Sequence, residues 1–255
     1  MAGPTTTSPA WTREELSSNP HAHAEKAEKV RRMFGAIAHR YDLNNRLHSF
    51  GRDQAWRRAA VRLAGVGPAD HVLDVACGTG DLTRAFANAG AAEVTGLDFT
   101  PEMLDIARRK PSAVAGTTPI RYVEGDAMSL PFDDRSFDIV SIAFGIRNVS
   151  EPARAFREFR RVLRPAGRLI VLEFGRPRFA PIAWLNDFYC STIMPRTATL
   201  ISGDRSGAYR YLPKSVQTFL TREAMVGAME AAGFTDVRTR AMTFGVCIAY
   251  RGEVA

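Results

Sequence analysis

The chain has 255 residues, 45% of them hydrophobic and 24% charged, with 34 Lys and Arg against 27 Asp and Glu for a net charge of +7. That suits one α/β-sized domain able to bury its own core. Three scattered cysteines, Cys77, Cys190 and Cys247, exclude a disulfide framework and a structural zinc site, and no apolar run approaches the roughly 20 residues that span a bilayer.

Residues 1–20 are rich in Thr, Ser and Pro, carry one arginine (Arg13) and lack an apolar signal core. They read as a disordered leader, which disfavours secretion and import and leaves a cytoplasmic setting. From residue 21 to the end the chain reads as a single domain. Val30, Phe34 and Ile37 lie at helical spacing within residues 21–38, and a second helix runs from about Asp53 to Leu63, closed by Gly65 and Gly67-Pro68. Residues 21–67 thus form a helical cap expected on the substrate side.

The periodicity then changes. His71–Ala76, Glu93–Leu97, Ile120–Val123, Phe137–Ala143 and Arg168–Phe174 read as strands, with helices over Asp81–Ala89, from Thr100-Pro101, and over Glu151–Leu163. Thr221–Ala232 reads as a helix, and Phe234–Arg240 with Met242–Tyr250 as an edge hairpin. Seven strands in this alternation predict a doubly wound α/β fold, mainly parallel, with an antiparallel C-terminal hairpin. Residues 176–216, rich in aromatics, read as a lid or substrate insertion.

In such sheets ligands bind beyond the carboxyl ends of the strands. Strand one ends in Asp74-Val-Ala-Cys-Gly78-Thr79-Gly80, a glycine turn whose backbone approaches a ligand closely. Strand two ends at Asp98, suited to a ribose diol because a carboxylate accepts two hydrogen bonds. Strand three is followed by Gly125-Asp126-Ala127 and strand four by Phe144-Gly145-Ile146-Arg147-Asn148. A dinucleotide is disfavoured, because Thr83 stands where GxGxxG needs its third glycine, and Asp74 and Asp81 flank the turn. Acidic flanks suit a cofactor with a cationic sulfonium and amine.

The segments VLDVACGTGDLT and GDAMSLPF resemble the motifs of class I methyltransferases, which use S-adenosyl-L-methionine on a Rossmann-like sheet. More specifically, YDLNNRLHSFGRDQAW, FDIVSIAFGIRNV, RVLRPAGRLIVLEF and YRYLPKSV resemble the ubiquinone/menaquinone-biosynthesis C-methyltransferases, from about Val30 to Gly252. The resemblance implies that Thr79, Asp98, Asp126 and Ala127 contact the cofactor, and that the acceptor is a prenylated quinol methylated on ring carbon, most readily demethylmenaquinol, with 2-methoxy-6-polyprenyl-1,4-benzoquinol as a second acceptor. Three positions depart from the family pattern: Asp53 replaces a histidine, and Ala143 and Gly175 replace serines.

Carbon methylation needs a nucleophile, which a quinol supplies ortho to an ionised hydroxyl. A phenol with a pKa near ~10 is only about 0.1% ionised at pH 7, so its anion must be generated or stabilised. The candidates on the quinol side are Arg147, Asn148, Tyr41, Asp42 and Asn45. Arg147 would hold the phenolate, Tyr41 and Asn148 the ring oxygens, and either Asp42 or His48 would act as base. No metal is expected. A nucleic-acid substrate is disfavoured, since the turn after strand four reads FGIRN and lacks the Pro-Pro-aromatic grip on a flipped base. The arginines fall on helix-like stretches and read as solvated faces. Other readings left open are a methyltransferase for another small phenol or lipid, and a non-catalytic scaffold of a quinone-synthesis complex. The prenyl tail implies a transient encounter with the inner membrane face; homo-oligomerisation is not legible.

Overall fold

The computed structural model describes residues 9–110, 118–204 and 206–255. Strands β1 (His71–Val75), β2 (Glu93–Asp98), β3 (Ile120–Glu124), β4 (Phe137–Ala143), β5 (Leu163–Phe174), β6 (Thr235–Met242) and β7 (Cys247–Glu253) form one sheet in the order β3-β2-β1-β4-β5-β7-β6. β1 to β5 are parallel; β7 inserts antiparallel between β5 and β6. The order reverses between β1 and β4, which creates a crevice at their carboxyl ends. β1 and β4 are apolar along most of their length because both faces of the sheet are covered.

Helix α1 (Lys26–His48) precedes α2 (Arg52–Ala64), and α3 (Asp81–Asn88), α4 (Pro101–Arg109) and α5 (Pro152–Val162) link the parallel strands. Then follow α6 (Ala180–Phe188), a π-turn at Tyr189–Ile193, α7 (Met194–Ser202), α8 (Ala208–Thr218) and α9 (Arg222–Ala231). α5 starts with Pro152 at its first turn and buries Ala155, Phe156, Phe159 and Val162, one stripe at helical spacing. That stripe and Met225 and Met229 of α9 cover one sheet face; Trp56, Ala60 and Phe86 from α2 and α3 cover the other.

The mainly parallel seven-stranded sheet and its antiparallel hairpin stand as expected. Two differences concern the cap. The first helix does not end near residue 38 but continues to His48, since no breaker stands between Gly35 and Ser49; the left-handed Gly51 (φ 71) ends the run and starts α2. Tyr41, Asp42, Asn45 and His48 therefore lie on one helix. The leader reading also needs correction. Residues 1–8 lie outside the described residues, but Ala10 and Trp11 are buried, and Trp11 stacks on Tyr211 with ring centroids 4.9 Å apart. One tryptophan buries enough apolar area to anchor a segment whose average composition is polar.

Trp11, Val30, Met33 and Ile37 join Ala198, Tyr209 and Tyr211 in a third core under the cap. Residues 176–216 are thus mainly helical, with α7 and α8 lying against α1.

Candidate active site

A cleft of about 770 Å3 opens at the carboxyl ends of β1 to β4, with Ala27, Phe34 and Tyr41 of α1 forming its far wall. The backbone there is bent sharply. Ala76 (φ 50) after β1 and Phe144 (φ 56) after β4 are both left-handed and both line the cleft. Non-glycine residues rarely adopt that conformation, and such strain clusters at functional sites. Gly80 (φ 77) serves the same turn, since a Cβ there would collide with the Tyr122 hydroxyl.

Asp98 lines the cleft. Its Oδ2 accepts the Gly78 N–H at 2.7 Å and its Oδ1 the Thr100 N–H at 2.9 Å. Each oxygen keeps a further acceptor position for a ribose hydroxyl. Burial pushes its pKa up against these backbone donors, which pull it down. Gly78 lines the same wall with open space where a side chain would stand. The exposed Asp126 takes the Met128 N–H on Oδ1 at 2.8 Å, beside Ala127. With Leu97, Phe99, Met103 and Met128 these make an apolar slot with carboxylates at its rim. That combination fits S-adenosylmethionine: apolar surface for adenine, acceptors for its amine and ribose, and an open glycine for its amino-acid arm.

Other expected residues lie elsewhere. Asp74 stands behind the cleft wall, its two oxygens accepting from Ser141 Oγ and Thr83 Oγ1, both at 2.7 Å. It ties β1 to β4 and α3 and does not line the cleft. Thr79 and Gly80 likewise shape the turn from outside the cleft surface. Thr79 Oγ1 donates to Asp42 Oδ1 at 2.6 Å, and Lys110 Nζ lies 2.6 Å from Asp42 Oδ2 and 2.7 Å from Asp81 Oδ1. Asp42 is thus a clasp between α1 and the glycine turn, with its charge paired and its side chain outside the cleft lining. His48 is also away from the cleft: Nδ1 is 3.0 Å from the Tyr189 hydroxyl, and burial lowers its pKa.

Asn148 and Tyr41 do line the cleft. Asn148 Oδ1 accepts from the Tyr211 hydroxyl at 3.0 Å, the same tyrosine that stacks on Trp11. Burial raises the pKa of Tyr41, so it stays protonated and able to donate. Arg147 departs most from expectation. It is 5% exposed, and its NH1 donates to Glu173 Oε1 at 2.7 Å and to the Phe144 carbonyl oxygen at 2.6 Å. Its guanidinium lies over the Phe174 ring and outside the cleft lining. It braces the loop that presents Asn148; it does not face a ligand directly.

Sequence reasoning missed Glu173, Tyr211 and Trp11. Glu173 had a signal, an acid inside the apolar run RLIVLEF, because a buried carboxylate demands a partner. Asp53 accepts from Ser49 Oγ at 2.9 Å and pairs with Arg57 at the start of α2. At Gly175 a Cβ would come within 2.7 Å of the Gly245 carbonyl oxygen, which disfavours serine there. Ala143 lines the cleft without a polar group.

Residues 22–253 match the ubiE/COQ5 methyltransferase family. The chain belongs to that family. It is 49% identical over 222 residues, covering 87% of this chain and 99% of the relative, to a demethylmenaquinone methyltransferase of Thermus thermophilus. It is 42% identical over 234 residues, 91% of this chain and 99% of the other, to a ubiquinone/menaquinone biosynthesis C-methyltransferase of a Geobacter species. A solved SAM-dependent methyltransferase of Thermotoga maritima shares the fold, with TM-score 0.61 and 20% identity over 88% of this chain and 99% of that one. The protein is therefore a SAM-dependent methyltransferase, as its motifs implied.

Burial pushes the Asp74 carboxyl up to about 6 from 3.8, so the fold favours its protonated form. The added stability is present below the unfolded value and is lost as pH rises through about 6. On going from pH 7 to pH 4 the wild type should gain about 2 kcal/mol relative to Asp74→Asn. Chemical denaturation of both proteins at each pH checks this; a constant difference would refute it.

Proposed function

We propose that this methyltransferase transfers the methyl of S-adenosyl-L-methionine to a ring carbon of a prenylated quinol, demethylmenaquinol first and a methoxybenzoquinol second. The carrying observation is one cleft lined by two carboxylates, Asp98 and Asp126, together with Tyr41 and Asn148. Relatives 49% and 42% identical, bearing demethylmenaquinone and ubiquinone/menaquinone names, support that acceptor.

The cofactor supplies a methyl group on a cationic sulfur. Asp98 holds the ribose, Asp126 and Ala127 the adenine edge, and Gly78 the amino-acid arm. Tyr41 donates to one ring oxygen. The Asn148 amide nitrogen, only weakly engaged by the Phe144 carbonyl at 3.4 Å, donates to it as well. With Asp42 clasped and His48 held at Tyr189, the quinol side offers donors in place of a base: the hydroxyl proton passes to solvent, the donors stabilise the anion left behind, and the ring proton that the methyl replaces is lost to solvent as the ring rearomatises. Alignment of carbon with methyl then contributes by proximity, up to ~7–11 kcal/mol.

Anaerobic incubation with the cofactor and both reduced short-chain acceptors, followed by mass spectrometry, tests this. One added methyl is expected, faster on the naphthoquinol. No gain on either, with cofactor binding intact, would reject the quinol.

We propose further that the acceptor is taken from a lipid surface. Among the described residues no helix is long and apolar enough to cross a membrane. Along α6 and α7, however, Phe179, Trp184, Leu185, Phe188, Ile193 and Leu200 are exposed, Trp184 by 69% and Leu200 by 85%. Phe50 extends this face, its ring 5.8 Å from that of Tyr189. So large an exposed apolar face favours an interfacial role. No described residue of 176–216 lines the cleft, so the segment serves as a docking arm, not as a cleft wall. Changing Trp184 and Phe188 to Asp should reduce sedimentation with anionic vesicles roughly tenfold. It should also raise KM for a long-tailed but not a short-tailed quinol; equal sedimentation would refute the arm.

A further inference from the structure

A buried cation stands behind the quinol-side wall with no carboxylate of its own. Lys26, the first residue of α1, is 2% exposed, and its ammonium donates to the Val149 carbonyl oxygen at 2.7 Å. Val149 sits between Asn148 and Ser150; all three line the cleft, as does Ala27 beside the lysine. Burying an ammonium is costly unless an anion compensates it. Among the described residues no carboxylate is within ion-pair distance of Lys26.

The surroundings do not supply that anion. Arg147 flanks the same wall and adds positive charge. Glu173 on β5 is engaged by Arg147 at 2.7 Å. His21, in the turn before α1, has Nε2 2.8 Å from the Ser215 carbonyl oxygen, and burial, with Lys26 and Arg147 nearby, lowers its pKa. Tyr211 of α8 donates to Asn148 and is pushed up to about 12, so it carries no charge at neutral pH. The group thus holds two cations against one carboxylate, while Asp98 and Asp126, which line the same cleft, are assigned to the cofactor.

We propose that Lys26 is a positioning residue for the nucleophile: clipped to Val149, its ammonium supplies the uncompensated positive charge that holds a phenol-type acceptor as its anion against the Asn148–Ser150 wall. This rests on the quinol reading above. Burial, and then the Arg147 charge, bring the ammonium down to about 8. The charge that favours the anion is therefore present below about pH 8 and lost above it.

The probe is 4-nitrophenol, whose ionisation is read by absorbance, titrated against protein saturated with S-adenosylhomocysteine. Wild type and Lys26→Arg should each lower the bound phenol's pKa by about one unit, and Lys26→Met by a small fraction of that. In quinol turnover, kcat/KM should fall above about pH 8 in the wild type and stay level in Lys26→Arg. It should be roughly tenfold lower at neutral pH in Lys26→Met, with cofactor affinity unchanged. A wild type that leaves the phenol's titration unmoved, or a folded Lys26→Met that moves it equally, overturns the proposal. Should the Met variant fail to fold, the pH profiles of wild type and Lys26→Arg decide, and an identical alkaline fall in both overturns it. A Lys26-dependent shift without quinol methylation supports the anion site and rejects the quinol as its occupant.

Discussion

Asp98→Ala is expected to weaken S-adenosylmethionine binding by about 1.5–3 kcal/mol, roughly 10- to 150-fold, because it deletes charge-assisted hydrogen bonds to the ribose. The carboxylate also organises the turn, accepting the Gly78 and Thr100 N–H groups at 2.7 and 2.9 Å. Calorimetry must therefore be paired with a melting curve. Asp98→Asn, which keeps the size and loses the charge, should fall between the two proteins. Unchanged affinity in a folded Asp98→Ala protein would remove Asp98 from the cofactor site.

The second large effect lies at Glu173. Its carboxylate, 2% exposed, pairs with the Arg147 guanidinium, and removing it leaves a buried positive charge unpaired. Glu173→Ala should cost about 3–5 kcal/mol, lowering the melting temperature by on the order of 10 °C. Changing both Arg147 and Glu173 to Met should recover most of that, since replacing a whole buried pair with apolar volume is far less costly than orphaning one member. Turnover should not recover with stability, because the Phe144–Asn148 loop loses the brace that Arg147 gives it. Denaturant titration of the two single variants and the double variant measures the coupling. Additive losses would mean that the pair is not a unit.

These two sites also mark how far the sequence could be read. The sheet was legible because β1, β2 and β4 are short apolar runs: β1 and β4 reach a glycine within three residues of their ends, and β2 ends in an acid. A strand end at a switch point has few alternatives for such groups. Asp98, Gly78, Asp126 and Ala127 stand at the cleft for that reason. Partners brought together by the fold were not legible. Arg147 and Glu173 are 26 positions apart, and Lys26 and Val149 are 123 apart. Arg147 offered a free cation to the quinol only while Glu173 was just another residue in a strand. Asp42 likewise looked like a base until Thr79 and Lys110 were found on its two oxygens. Trp11 was hidden by the company it keeps, since composition averages over a segment while a single ring decides where it docks.

Methyl transfer to carbon is read out by following the label from S-adenosyl-L-[methyl-13C]methionine into demethylmenaquinol, with the anaerobic product examined by carbon NMR. One enriched resonance is expected, that of a methyl on the quinol ring. A resonance of a methyl ether would show that the acceptor oxygen, not its carbon, is aligned in the cleft. No enriched product, from protein that still binds the cofactor, would contradict the quinol altogether.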